Sequence, residues 1–210
     1  MITLPLNGAE LNITVQPHNG SKALIYFGGN SEDVSRRLPH FSTVFPDHAL
    51  FLLHYRGYGG SSGKPSEDAL FSDAIALFDK VHLEHQNIMV VGRSLGSGVA
   101  VYLASQRPVS RLILVTPYDS IQALAAQQFP YVPVPWLLVD KFESWKYAKL
   151  VTAPTLIIAA EHDEVIPKAS TESLLDHFRS GVASMTVVPD TSHNTISDSL
   201  EYLSLLRSQK

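Results

Sequence analysis

A serine to attack, a histidine to take its proton and a carboxylate to orient the histidine suffice for acyl transfer. Ser94 stands in Gly92-Arg-Ser-Leu-Gly96, Asp163 in Glu161-His-Asp-Glu-Val-Ile-Pro167 and His193 in Pro189-Asp-Thr-Ser-His-Asn194. The apolar run Ile88-Met-Val-Val leads into the serine motif, and a helix-like segment over 99–105 follows it. Strand, sharp turn and helix is the setting in which such a serine lifts its hydroxyl out of a sheet. A Cβ at 92 or 96 would crowd the chain that passes the turn, so both positions call for glycine. The plainer alternative for Ser94 is a helix-capping serine.

The other two roles have rivals. Of nine histidines, His18, His40, His48, His177 and the pair His82 and His85 fall before or within predicted helices or turns, where solvent is the expected partner. His54 ends a predicted strand and His162 adjoins Asp163, so these two compete with His193, which alone lies in a loop after the final predicted strand. Glu161 and Glu164 compete with Asp163. His82-x-x-His85 has metal-ligand spacing but no third ligand nearby, so a solvated helix end is expected and no metal or cofactor site. A tetrahedral intermediate also needs two amide donors, each typically worth about 2.7–4 kcal/mol. The Leu95 amide begins the helix after Ser94, and the Asn30 amide lies in the Gly28-Gly29-Asn30 loop.

The elements that must hold these residues alternate. Continuous apolar runs at 23–27, 49–53, 88–91, 111–116 and 154–160 predict strands buried on both faces. Helical spacing separates them over 31–45, 66–82 and 99–105, with later helices at 169–178 and 196–206, the last showing Ile196, Leu200, Leu203 and Leu206 on one face. A further strand is expected at 183–188, and residues 2–15 with Asn7-Gly8 predict an edge hairpin. The expectation is an α/β fold: a mostly parallel sheet, helices on both faces, and ligands at the carboxyl ends of the strands. The glycine-rich stretch from Tyr55 to Ser66 fails as a phosphate loop, because Tyr58 and Pro65 stand where glycine and Ser or Thr are needed.

Residues 117–151 break this rhythm. Pro130, Pro133 and Pro135 forbid a regular helix or central strand there. A small cap inserted over the site is expected within a single domain of 210 residues, the alternative being an irregular edge packed on the core. Gly29, Tyr58, Phe129 and Trp136 are the expected substrate contacts. Composition narrows the rest: 45% hydrophobic residues supply a sizeable core, and a net charge of −4 without a basic block argues against nucleic acid. The absence of cysteine removes disulfides and thiol chemistry. No secretory signal or membrane-spanning run is evident, so a cytoplasmic protein is expected.

Phe27-Gly-Gly-Asn30, Tyr55-Arg-Gly-Tyr-Gly-Gly-Ser-Ser-Gly-Lys-Pro-Ser66, Gly92-Arg-Ser-Leu-Gly96, Asp163-Glu-Val-Ile-Pro167 and Ser192-His-Asn194 together resemble the α/β-hydrolase superfamily. The chain is similar to its small serine hydrolases, which include the membrane-attached acyl-protein thioesterases. The resemblance implies a Ser94–Asp163–His193 triad, an oxyanion hole of the Asn30 and Leu95 amides, and an acyl-enzyme formed from an ester or thioester. Gly28 stands where the family commonly has histidine, so a side-chain brace for the first loop is expected to be missing. Many relatives also carry an N-terminal membrane segment or a lipidated cysteine cluster, which this sequence does not show. The expected partner is a small-molecule or acylated substrate, with membrane contact through the apolar cap as a further option. The alternative is a silent hydrolase fold whose role is binding, or docking on a membrane or partner.

Overall fold

The computed structural model describes residues 1–6, 8–131 and 133–209. Strands β1 (Ile2–Leu6) and β2 (Ala9–Gln16) form the expected hairpin, with Leu6 opposite Ala9. Asn7 of its turn lies outside the described residues. Next come β3 (Lys22–Phe27), α1 (Leu38–Val44), β4 (Ala49–Leu53), α2 (Glu67–His82), β5 (Asn87–Arg93), α3 (Leu95–Gln106) and β6 (Arg111–Val115). Three short helices follow, α4 (Ile121–Gln128), α5 (Val134–Leu137) and α6 (Ser144–Ala148). The chain closes with β7 (Thr155–His162), α7 (Lys168–Asp176), β8 (Ala183–Ser192) and α8 (Leu200–Arg207).

The strands form one eight-stranded sheet in the order β1-β2-β4-β3-β5-β6-β7-β8. Within this sheet, among the described residues, β1–β2 and β2–β4 pair antiparallel and the other neighbours pair parallel. The central strands are buried throughout most of their length, as continuous apolar runs require. Leu77, Phe78, Val101 and Leu174 from α2, α3 and α7 pack on one face, and Phe41, Tyr202 and Leu206 from α1 and α8 on the other.

Three expectations change in detail. The 31–45 helix splits into a 3₁₀ turn over Val34–Arg37 and then α1, because Pro39 has no amide to give the Ser35 carbonyl. The last strand runs beyond 188 to Ser192, with an irregular register between Ala160 and His162 and a left-handed Asp190 (φ 53°). The final helix starts late: a 3₁₀ turn at Ile196–Asp198 precedes it, and the Ser199 hydroxyl accepts from the Tyr202 amide at 3.0 Å. This shifts the apolar face, so Leu200 is exposed while Tyr202 and Leu206 are buried.

The 117–151 segment is tied at its two roots. Ser120 and Glu143 form an antiparallel bridge. A Glu67 carboxylate oxygen accepts from the Lys141 and Phe142 amides at 2.7 and 3.0 Å, while Asp140 accepts from the Glu67 amide at 2.8 Å. Between the roots, Phe129, Tyr131, Trp136, Leu137 and Val139 are exposed. Among the described residues, no helix is long and apolar enough to cross a membrane.

Candidate active site

The end of β5 turns into α3 through Ser94, whose backbone is left-handed at φ 49°, ψ −119°. A non-glycine residue holds such a conformation only where its surroundings impose it. Here they do: the Ser94 amide donates to the Val115 carbonyl at 2.9 Å, and the Ser97 hydroxyl donates to the Ser94 carbonyl at 2.6 Å. A Cβ at Gly96 would overlap the Phe27 carbonyl, and one at Gly92 would overlap the Gly96 carbonyl. The turn therefore needs both glycines, as the motif implied.

β7 and β8 deliver the other two groups. His193 Nε2 lies 3.0 Å from Ser94 Oγ, and His193 Nδ1 lies 2.9 and 3.0 Å from the two Asp163 oxygens. The His193 and Asp163 side chains are 7% and 6% exposed, so water does not compete freely for this pair. Asp163 also accepts from the Ile166 and Val165 amides at 2.7 and 2.9 Å. Burial pushes the Asp163 carboxyl up. The His193 contact and those two amides outweigh it and hold the group below the usual carboxylate range. An ionised Asp163 places the imidazole proton on Nδ1 and leaves the Nε2 lone pair facing the serine hydroxyl.

The rivals separate. His54 Nε2 is 2.9 Å from the Thr14 hydroxyl in a buried site, and His162 is exposed beside Glu161. Glu164 accepts from the His193 amide at 3.3 Å, and Glu161 accepts from the Asp190 amide at 3.0 Å. Two expectations of solvated histidines fail. His48 is buried edge-on against Phe45, and His85 is buried with Nδ1 2.8 Å from the Gly20 carbonyl oxygen, because each helix end folds back on the sheet. Glu161, His162 and Asp190 bring ligand atoms within 4.8 Å of one another, but all three are exposed and line neither cavity described below.

Leu95 and Asn30 share a cavity wall with Ser94. Among the described residues, neither amide donates to a protein acceptor. Position 28 offers the loop carrying Asn30 no side-chain brace, but other side chains do. The Tyr55 hydroxyl donates to the Gly28 carbonyl at 3.0 Å, and the Gly29 amide donates to Glu32 at 2.7 Å. Position 28 has no room for a side chain, since a Cβ there would lie 2.6 Å from Val34.

Glu32 also accepts from the Tyr26 hydroxyl at 3.0 Å, Arg37 at 2.8 Å and Arg93 at 3.1 Å. Burial raises its carboxyl. The Arg37 hydrogen bond, the Gly29 amide and the charges of Arg93 and Arg37 outweigh this and hold it below the usual range. Arg93 donates its other terminal nitrogen to the His193 carbonyl at 3.0 Å. Sequence reasoning missed Glu32, Arg93 and Tyr55. Their only signal was place: Arg93 adjoins Ser94, and Glu32 and Tyr55 lie within three residues of a motif glycine.

Two cavities meet at the site. The smaller, about 160 Å³, is lined by Asn30, Tyr55, Tyr58, Ser66, Leu95, Asp140 and Phe142, among others. The larger, about 450 Å³, is lined by Ser94, Tyr118, Ile121, Leu124, Phe142, Val165 and others. Asn30, Leu95, Asp140 and Phe142 belong to both. Tyr58, an expected substrate contact, lines the smaller cavity. Gly29 lines neither, but a Cβ there would lie 3.5 Å from the Ser94 Cβ, so it contributes backbone beneath the nucleophile. Phe129 and Trp136 are corrected: they are 52% and 91% exposed and line neither cavity. The α4 pattern Ile121, Leu124, Ala125 takes that place, with helical spacing that turns one apolar face toward Ser94.

With this geometry established, known proteins offer comparison. Residues 27–138 match a family model described as alpha/beta hydrolase fold. The Mycobacterium tuberculosis protein Rv2307c is 37% identical over 199 residues, covering 90% of this chain and 69% of the relative. The Caenorhabditis elegans alpha/beta hydrolase domain-containing protein aho-3 is 32% identical, covering 90% of this chain and 58% of its own. The structure of Est1E from Butyrivibrio proteoclasticus, bound to ferulic acid, superposes with a TM-score of 0.81 over 100% of this chain and 96% of Est1E. At 15% identity, that likeness speaks to the fold alone.

Proposed function

The chain belongs to the α/β-hydrolase family, and from that premise we propose that it is a serine hydrolase that cleaves a carboxylic ester or thioester through an acyl-enzyme on Ser94. The observation that carries the reading is the unbroken relay from Asp163 through His193 to Ser94, 2.9 and 3.0 Å between partners, opening on a cavity. His193 Nε2 takes the hydroxyl proton as Ser94 Oγ attacks the acyl carbon. The Leu95 and Asn30 amides hold the oxyanion. The proton passes from His193 to the leaving alcohol or thiol, and His193 then activates a water that releases the acid. Asp163 keeps the imidazole oriented throughout.

An acyl group fits the larger cavity, whose wall of Ile121, Leu124, Phe142 and Val165 is apolar. The reading takes 117–151 as a small cap on a single domain, an acylated substrate and no nucleic-acid partner, and a cytoplasmic setting. The exposed apolar side chains between 129 and 139 favour a second role for that cap, contact with a membrane or an acylated partner, alongside turnover.

Labelling by a fluorophosphonate probe tests the chemistry. Wild type should label, and Ser94→Ala and His193→Ala should not. A folded wild type that fails to label would put the silent binding fold ahead.

A further inference from the structure

We propose that Glu32 and Arg93 are positioning residues that act as one strut, holding the oxyanion loop and the histidine loop in register across the nucleophile turn. Its effect on turnover rests on the serine-hydrolase reading, whereas its mechanical effect does not.

The two loops leave the sheet from different strands, β3 and β8, and each carries one part of the machinery. Glu32 binds the Gly29 amide on one side and the Arg93 guanidinium on the other. Arg93 sits next to Ser94 in the chain and binds the His193 carbonyl with its second terminal nitrogen, with Asn194 Oδ1 at 3.5 Å. The path from the oxyanion loop to the general base therefore runs through two side chains. Both are largely buried, with 10% and 9% of the side chain exposed. Arg37 and the Tyr26 hydroxyl occupy the remaining lone pairs of Glu32, which fixes the carboxylate in place.

Stability alone does not explain this arrangement. A buried ion pair is weak grounds for stability, because desolvation offsets most of its attraction. What the pair supplies is geometry, since an error of about 1 Å between reacting groups costs on the order of 100-fold in rate. The fork of arginine matters too: two nitrogens reach two partners at once, which the single ammonium of lysine cannot reproduce.

Hydrogen–deuterium exchange of the purified protein tests the strut with Glu32→Gln and Arg93→Lys. Each variant should raise exchange in both loops, 28–32 and 192–195, by about tenfold. The informative arm is Glu32→Gln at 192–195, a segment for which no Glu32 contact is present among the described residues. Tyr26→Phe removes one support of Glu32 but leaves its contacts to Gly29 and Arg93, so it should loosen both loops less than Glu32→Gln does. On a soluble ester, kcat should fall about 10–100-fold in either variant with KM within about twofold, and the double variant should be no slower than the slower single one.

Loosening confined to 28–32 in Glu32→Gln, or losses that multiply in the double variant, would overturn the proposal. Should Glu32→Gln fail to fold, Arg93→Lys decides: exchange unchanged in either loop refutes the strut. Should wild type show no turnover, the hydrolase reading fails, and the exchange arm still decides the strut.

Discussion

The centre of the site and the 129–139 stretch are built by opposite rules. Around Ser94, each working side chain is held from several directions: Asp163 by two amides and an imidazole, Glu32 by four donors. Between 129 and 139, Phe129, Tyr131, Trp136, Leu137 and Val139 face outward and Val134 is buried, and the side-chain hydrogen bonds of Glu67 and Asp140 hold the root that follows. The contrast teaches a division of labour. The groups around Ser94 are over-determined, while the described residues of the 129–139 segment line neither cavity and anchor it on the core through Val134.

The sharpest way to break the comparison is at the nucleophile. Ser94→Ala should lower kcat for a soluble ester by about 10⁶-fold while leaving the melting temperature within a few degrees. Asp163→Asn comes next, at roughly 10⁴-fold in kcat, because an amide no longer selects the tautomer that bares Nε2. Retention of more than a tenth of the activity would show that His193 is oriented by its other contacts.

Acid tests the same carboxylate through stability. The Asp163 pKa is depressed in the folded state, so its contribution is in place above the unperturbed value of 3.8 and is lost as pH falls through the lower folded value. Thermal melts from pH 6 to pH 2.5 should show wild type losing stability below about pH 4, with a shallower loss in Asp163→Asn.

Smaller effects sharpen the boundary between the two regions. Phe142 lines both cavities and is held left-handed at φ 41° by the Glu67 clamp. Phe142→Ala should merge the cavities and shift the preferred acyl length by several carbons, read from kcat/KM over a series of p-nitrophenyl esters. Trp136→Ala should be the mildest, changing kcat/KM on those soluble esters by less than about twofold and stability by less than about 0.5 kcal/mol. A larger change on soluble esters would show that the exposed stretch folds over the site during turnover.

What the sequence made legible follows the same division. The parallel strands were visible because burial on both faces writes an uninterrupted apolar run, and the Ser94 turn because it tolerates only small neighbours at 92 and 96. Ser94, Asp163 and His193 each follow a strand, so their meeting point could be placed from topology. Apolar composition alone did not show direction: Phe129 and Trp136 read as a pocket wall, yet prolines remove the periodicity that separates inside from outside. Leu200 misled for a related reason, since the 3₁₀ turn before it resets the helical phase. Glu32 and Arg93 were unreadable as partners, because their contacts span 61 and 100 residues of chain and no local pattern encodes them.

The packing of Val34 against position 28 has a consequence for how such sites change over time. A histidine cannot simply be introduced at Gly28, because its Cβ would strike Val34 before the ring reached any partner. A brace from position 28 thus needs a change at 34 as well, whereas the carboxylate brace from Glu32 needs neither. The first substitution is harmful until the second, a smaller residue at 34, has occurred. Epistasis of this kind would let lineages sharing one catalytic chemistry become locked into different supports for the same loop.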